Sequence, residues 1–210
     1  MPPAALWLGS TLAWAARRST HSLGIIKGDL RMGFFSGLFG PRVQVITYPR
    51  AGVLNLLGAA VADLAEKDAQ FLEPLFGNIA TETTHPPQCN VLFVYCSIAP
   101  DGTVQGSRNS LREIVRDSGA VVVVFASPNP GDAYVKAGKP APYGKANLVM
   151  TLNRKGDAFG RFFQALFTDM KHGVSMPKAW VKLAPQIPGR QRADVPDCIF
   201  ACEAGQLAFG

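Results

Sequence analysis

Cys96 closes the apolar run Val91-Leu92-Phe93-Val94-Tyr95-Cys96, and His85 precedes it in a polar stretch that carries Pro86 and Pro87. A thiol at the end of a strand, with an imidazole in reach, is the constellation of a cysteine hydrolase. Cys96 would be its nucleophile and His85, or the later His172, its base. The chemistry needs the base at hydrogen-bond distance or a positive environment that lowers the thiol pKa, and spacing decides neither. Cysteine is also a common small core residue, and that plainer role is the expectation for Cys96.

A second candidate is the segment Asn153-Arg154-Lys155-Gly156-Asp157, placed where a strand hands over to a helix. Free N–H groups and two cations there would suit an anion or a nucleotide. Asp157 competes for the same N–H groups as a helix cap, so a solvated basic turn is the stronger reading. Neither a G-x4-G-K-[ST] loop nor a G-x-G-x-x-G turn occurs, and no cofactor is expected. No metal site is expected either. Cys89, Cys96, Cys198 and Cys202 are spaced C-x6-C and C-x3-C rather than C-x2-C, and His21, His85 and His172 form no i, i+4 pair. A G-x-S-x-G elbow is missing as well.

Alternating strands and helices must position these groups. Val43–Tyr48 is a β-branched run closed by Pro49. Over residues 52–67 the spacing of Val53, Leu54, Leu56, Leu57, Ala60, Val61 and Leu64 predicts a helix. Val91–Cys96, Ala120–Ala126 and Asn147–Leu152 are continuously apolar or nearly so, as in strands buried on both faces. Ser107 is placed to cap a helix over 108–117, with Leu111, Ile114 and Val115 inside and Arg112 and Arg116 outside. A Pro- and Gly-rich loop is expected over 127–144. After Asp157, the residues Phe159, Phe162, Phe163, Leu166, Phe167 and Met170 share one helical face, closed by Gly173. Ser175 and Pro177 open a further helix, and 198–202 and 206–209 suit short edge strands. The pattern predicts an α/β fold, a mostly parallel central sheet flanked by helices in a three-layer sandwich. Ligands of such sheets sit beyond the carboxyl ends of the strands. That rule nominates Cys96 and Ser97, then Ser127 and Asn129, then Asn153, Arg154 and Lys155.

Composition bounds the remaining classes. The 210 residues are 48% apolar and 17% charged, enough for one sizeable core, and no uncharged apolar run is long enough for a membrane span. The net charge is +6, of which residues 1–31 hold +3 through Arg17, Arg18, Lys27 and Arg31 against Asp29. No basic run or aromatic–basic alternation marks a nucleic-acid surface, so such a partner is disfavoured. Residues 1–31 read as a loosely ordered extension, with Met32 an alternative start. Their wealth of Arg and Ser and scarcity of acids keep an organelle-targeting segment as the alternative to a cytoplasmic chain. Residues 32–42 form an apolar arm, in which Phe34, Phe35, Leu38 and Phe39 stand among glycines. It suits packing on the domain or on a partner, with weak membrane-surface contact as its other use. Residues 43–210 are expected to form a single domain.

The order of elements from about Asn90 to Gly210 resembles the caspase-like CHAT domains, cysteine-peptidase relatives akin to separase. In that family one strand ends in His-Gly and the next in the nucleophilic Cys, with a helix between, and a Phe-rich helix, a Gly-x-Ser turn and an Ala-containing helix follow. Here Val91–Cys96, the helix over 108–117 and the strand over 120–126 keep that order. Phe162-Phe163-Gln164-Ala165-Leu166, Gly173-Val174-Ser175 and Ala179 look like the later elements. At the chemical positions the chain carries Cys96-Ser97 in place of His-Gly and Ser127 or a neighbour in place of Cys. The resemblance therefore implies a degenerate member without peptidase activity. The leading expectation is a non-enzymatic domain that binds a protein or small ligand at the strand-end crevice. The cysteine hydrolase and the anion binder are its alternatives.

Overall fold

The computed structural model describes residues 42–139, 142–184 and 192–210. The extension 1–31 and nearly all of the arm 32–42 lie outside the described residues.

Four strands with buried, β-branched or aromatic side chains make the centre of the sheet. They are β2 (Ala51–Asn55), β4 (Val91–Tyr95), β5 (Val122–Phe125) and β6 (Asn147–Asn153). The short β3 (Ala80–Glu82) and the C-terminal β7 (Asp197–Cys202) complete it in the order β3-β2-β4-β5-β6-β7. All neighbours are parallel except β6 and β7. Chain direction reverses at β7 because two helices, α4 (Ala158–Lys171) and α5 (Met176–Leu183), intervene and return the chain to the carboxyl end of β6. A separate parallel pair joins β1 (Gln44–Ile46) to β8 (Leu207–Phe209).

Period-2 alternation divides the strands between two apolar clusters, since successive strand side chains point to opposite faces. Val53, Phe93, Tyr95, Val124 and Val149 face α4, α5 and α1 (Ala62–Phe76). Leu54, Leu92, Val94, Val123 and Phe125 face α2 (Leu111–Ser118) and α3 (Gly131–Ala137). The molecule is thus a three-layer α/β sandwich around a mostly parallel sheet, as the sequence pattern predicts. On the first face the α4 phenylalanines dominate. Phe163 meets Phe93 edge-on with centroids 5.4 Å apart and also touches Phe159, Phe162 and Phe167.

Several boundaries differ from the sequence pattern. The helix expected over 52–67 is instead β2, a 3-10 turn at Gly58–Val61 and α1. Val53 and Leu54 are fully buried on opposite faces of β2, which pairs with β4 along its whole length. The cap of α2 is Ser110, not Ser107, in a capping box with Glu113. Arg112, expected outside, is buried. It makes a two-pronged pair with Glu203 at 2.6 and 2.7 Å and donates to the carbonyls of Gly138, Lys139 and Gly144. The turn after β7 and the chain after α3 cover what helical periodicity would leave to solvent. The expected loop 127–144 contains α3, where Ala133 and Tyr134 supply buried contacts.

Candidate functional site

The carboxyl ends of β4, β5 and β6 lie side by side, as their parallel pairing requires. Cys96-Ser97, Ser127-Pro128-Asn129 and Asn153-Arg154-Lys155 therefore share one end of the sheet, as the strand-end rule predicts. How each side chain is engaged decides what this end can do.

Cys96 is fully buried among the apolar side chains between the sheet and α2 and α3. Burial alone pushes its thiol up to about 12, and no charged group stands close enough to oppose it. His85 lies exposed in the loop after β3, and β2 intervenes between β3 and β4. His172 closes the far end of α4. The 14 residues of that helix put it about 21 Å from the strand ends. Both imidazoles are exposed, and among the described residues neither makes a hydrogen bond to the buried Cys96.

Asn129 acts as a clamp. Its amide nitrogen donates to the carbonyls of Cys96 (3.1 Å) and Ser127 (3.1 Å) and to the Tyr134 hydroxyl (3.2 Å), and its oxygen accepts from the Ile98 N–H (2.8 Å). Tyr134 in turn donates to the Ser127 carbonyl at 2.8 Å. The ends of β4 and β5 are tied to α3 by this one buried amide. Ser97 is half-buried, and its carbonyl accepts from the Gln105 N–H.

The cations of the basic turn are also committed. Arg154 is buried, and Nη2 reaches both oxygens of Asp68 on α1, at 2.8 and 2.7 Å. Its Nη1 donates to the Ala126 carbonyl at 2.9 Å, and its guanidinium lies 3.7 Å from the centroid of the Phe159 ring. Tyr95 donates its hydroxyl to the same Asp68. Burial raises the Asp68 pKa from its ordinary value, while Arg154 and Tyr95 oppose the rise. Burial and the Asp68 charge raise the Tyr95 pKa. Lys155 pairs with Asp197 and with the Arg192 carbonyl, both at 2.8 Å, and Asn153 accepts from the Lys155 N–H at 3.1 Å. Asp157 does not bond the α4 N-terminus but pairs with Lys67 at 2.7 Å. Ser127 Oγ and Arg154 Nε remain without a hydrogen-bond partner among the described residues.

An open concavity among the described residues lies elsewhere. A groove of about 620 Å³ runs between α1 and the edge strand β3, starting from Asn55 and Gly58 at the carboxyl end of β2. Helical spacing places Ala62, Glu66, Ala69, Gln70 and Glu73 along one wall, and alternation places Ile79, Thr81 and Thr83 along the other. Asn55 shapes its upper end by accepting from the Leu57 N–H and donating to the Gly58 carbonyl. None of these wall residues figures among the sequence candidates. Reading 52–67 as one helix hides both the end of β2 and the start of α1.

Among the described residues no three His, Cys, Asp or Glu side chains converge as a metal site would need, and no helix is long and apolar enough to cross a membrane. Fold and site together define an α/β domain with a closed strand end and an open edge groove. Comparison with protein families, curated proteins and solved structures finds no match for the chain.

Proposed function

We propose that this chain is a non-enzymatic binding domain, a caspase-like α/β module whose catalytic positions have been given over to structure. The observation that carries the reading is the state of the strand end. Cys96 is enclosed with its thiol pushed up to about 12, and Asn129, Arg154 and Lys155 are consumed by internal partners. The caspase-like part of the reading is supported by adjoining ends of β4 and β5 with α2 between them. The Phe-rich α4, the Gly173 turn and Ala179 on α5 follow in the order of that family. Cys96-Ser97 and Ser127 stand where such a domain would carry its His-Gly and Cys.

Alkylation of each cysteine, followed against pH by mass spectrometry, tests this. Cys202 is exposed and should label first, while Cys89 and Cys96 should label only as fast as the domain opens. A thiol with a pKa near 12 is about one part in 10⁴ ionised at pH 8. A Cys96 that labels fastest at neutral pH would overturn the proposal in favour of a cysteine hydrolase.

A further inference from the structure

We propose that the groove between α1 and β3 binds an extended, basic peptide segment by strand addition. The inference rests on the reading of the chain as a binding domain and names the chemistry of its partner. β3 ends the sheet, so one side of its backbone has no strand partner among the described residues, and Ala80, Thr81 and Glu82 are all exposed. An exposed edge is a template for a further strand. Side chains of a strand laid against β3 would point alternately towards α1 and away from it. On the α1 side they meet a floor of Ala62, Ala65 and Ala69, small enough for a close approach.

Charge selects the occupant. The groove wall carries Glu66 and Glu73, and no Lys or Arg among the described residues lines it, although the chain as a whole is at +6. Lys67, their neighbour on α1, is engaged with Asp157. Glu66 and Glu73 are seven residues apart on the helix, about 10 Å along its axis. Alternate residues of an extended peptide are about 6.7 Å apart, and residues four apart about 13 Å. Flexible Lys or Arg side chains at alternate positions therefore bracket the carboxylate spacing. Gln70, between the two acids on α1, and Thr81 on the opposite wall offer hydrogen bonds to the intervening positions.

The test uses the full chain and a fluorescently labelled peptide that alternates Lys with Thr, followed by anisotropy at low and high salt. The expected result is saturable binding that weakens with salt and is absent for the peptide with Glu in place of Lys. The double variant Glu66→Lys/Glu73→Lys, on exposed positions, should weaken binding at least about tenfold with unchanged thermal stability. Gln70→Trp, which fills the groove without altering charge, should weaken it too. Hydrogen exchange across residues 79–84 should slow when the peptide is bound. Binding that survives both variants, or that leaves exchange at the edge unchanged, overturns the proposal in favour of general electrostatic adherence. Self-association abolished by the same variants would assign the edge to a second copy of this chain and likewise overturn it. A reactive Cys96 would overturn the binding-domain reading itself. An inert Cys96 with no peptide bound would overturn this inference alone.

Discussion

At the scale of single residues, the most consequential group is Arg154, because three elements converge on it. It joins α1 through Asp68, the residue that follows β5 through the Ala126 carbonyl, and α4 through the face of Phe159. Removing one partner of a buried pair leaves an uncompensated charge, which costs about 3–5 kcal/mol. Arg154→Met should destabilise the domain by that amount near neutral pH. The pH dependence has a defined sign. Asp68 holds its proton more tightly in the folded chain than in the unfolded one. Its contribution is fully present below the ordinary carboxylate range and is lost as pH rises through the raised value. Loss of Arg154 removes the strongest opposing influence, so the variant should lose more stability at about pH 7.5 than at about pH 4.5. Urea unfolding at the two pH values measures this, and an equal loss at both would refute it. Adding Asp68→Leu should recover much of the stability, since an apolar replacement of a buried pair is often neutral.

At the scale of elements, the packing of α1 on α4 depends on Gly160. A methyl group there would overlap the ring of Phe71, so the two helices approach as closely as they do only because position 160 has no side chain. Gly160→Ala should cost about 1–3 kcal/mol despite the higher helix propensity of alanine. A denaturant midpoint that rises instead would show that Phe71 turns aside freely. This closeness was not legible in the sequence, where Gly160 is one of several glycines and Phe71 lies outside the predicted elements. What was legible followed from burial on both faces. Val91–Tyr95, Val122–Phe125 and the Phe-rich stripe of α4 need long-range partners all round, and their composition says so. The strand β2 was misread because Val53 and Leu54 continue smoothly into Leu56 and Leu57, and apolar spacing alone fits either period. Arg112 was misplaced because helical periodicity knows nothing of a distant Glu203. The strand-end candidates lie together at one end of the sheet, yet which of them are spent on internal hydrogen bonds depends on Asp68, Tyr134 and Asp197, remote in sequence.

At the scale of the whole molecule, the two apolar clusters are backed by the same strands. Residues such as Val53 and Leu54, or Val124 and Phe125, are neighbours in the chain but serve opposite faces. A layer of helices that leaves exposes one face of the same strands on whose other face the second layer packs. Equilibrium unfolding should therefore be a single transition, with far-ultraviolet circular dichroism and Trp180 fluorescence coinciding in a Trp7→Phe/Trp14→Phe background. Trp180 reports the first face through its edge contact with Phe162 and its stacking on Phe200. Separate midpoints would mean that one layer detaches first.

The pairing of β1 with β8 has a mechanical meaning. These parallel strands stand near the two ends of the domain, joined by bonds such as Gln44 N–H to the Gln206 carbonyl (2.7 Å) and Gly210 N–H to the Ile46 carbonyl (3.0 Å). Tension applied between the ends drags β1 backwards and β8 forwards along a common axis. The pair is then loaded in shear, so that its hydrogen bonds resist together instead of opening one after another like a zip. A domain strung between two tethered neighbours would be held shut by the clasp at its own ends, and the sheet behind it would bear load only after that clasp had given way.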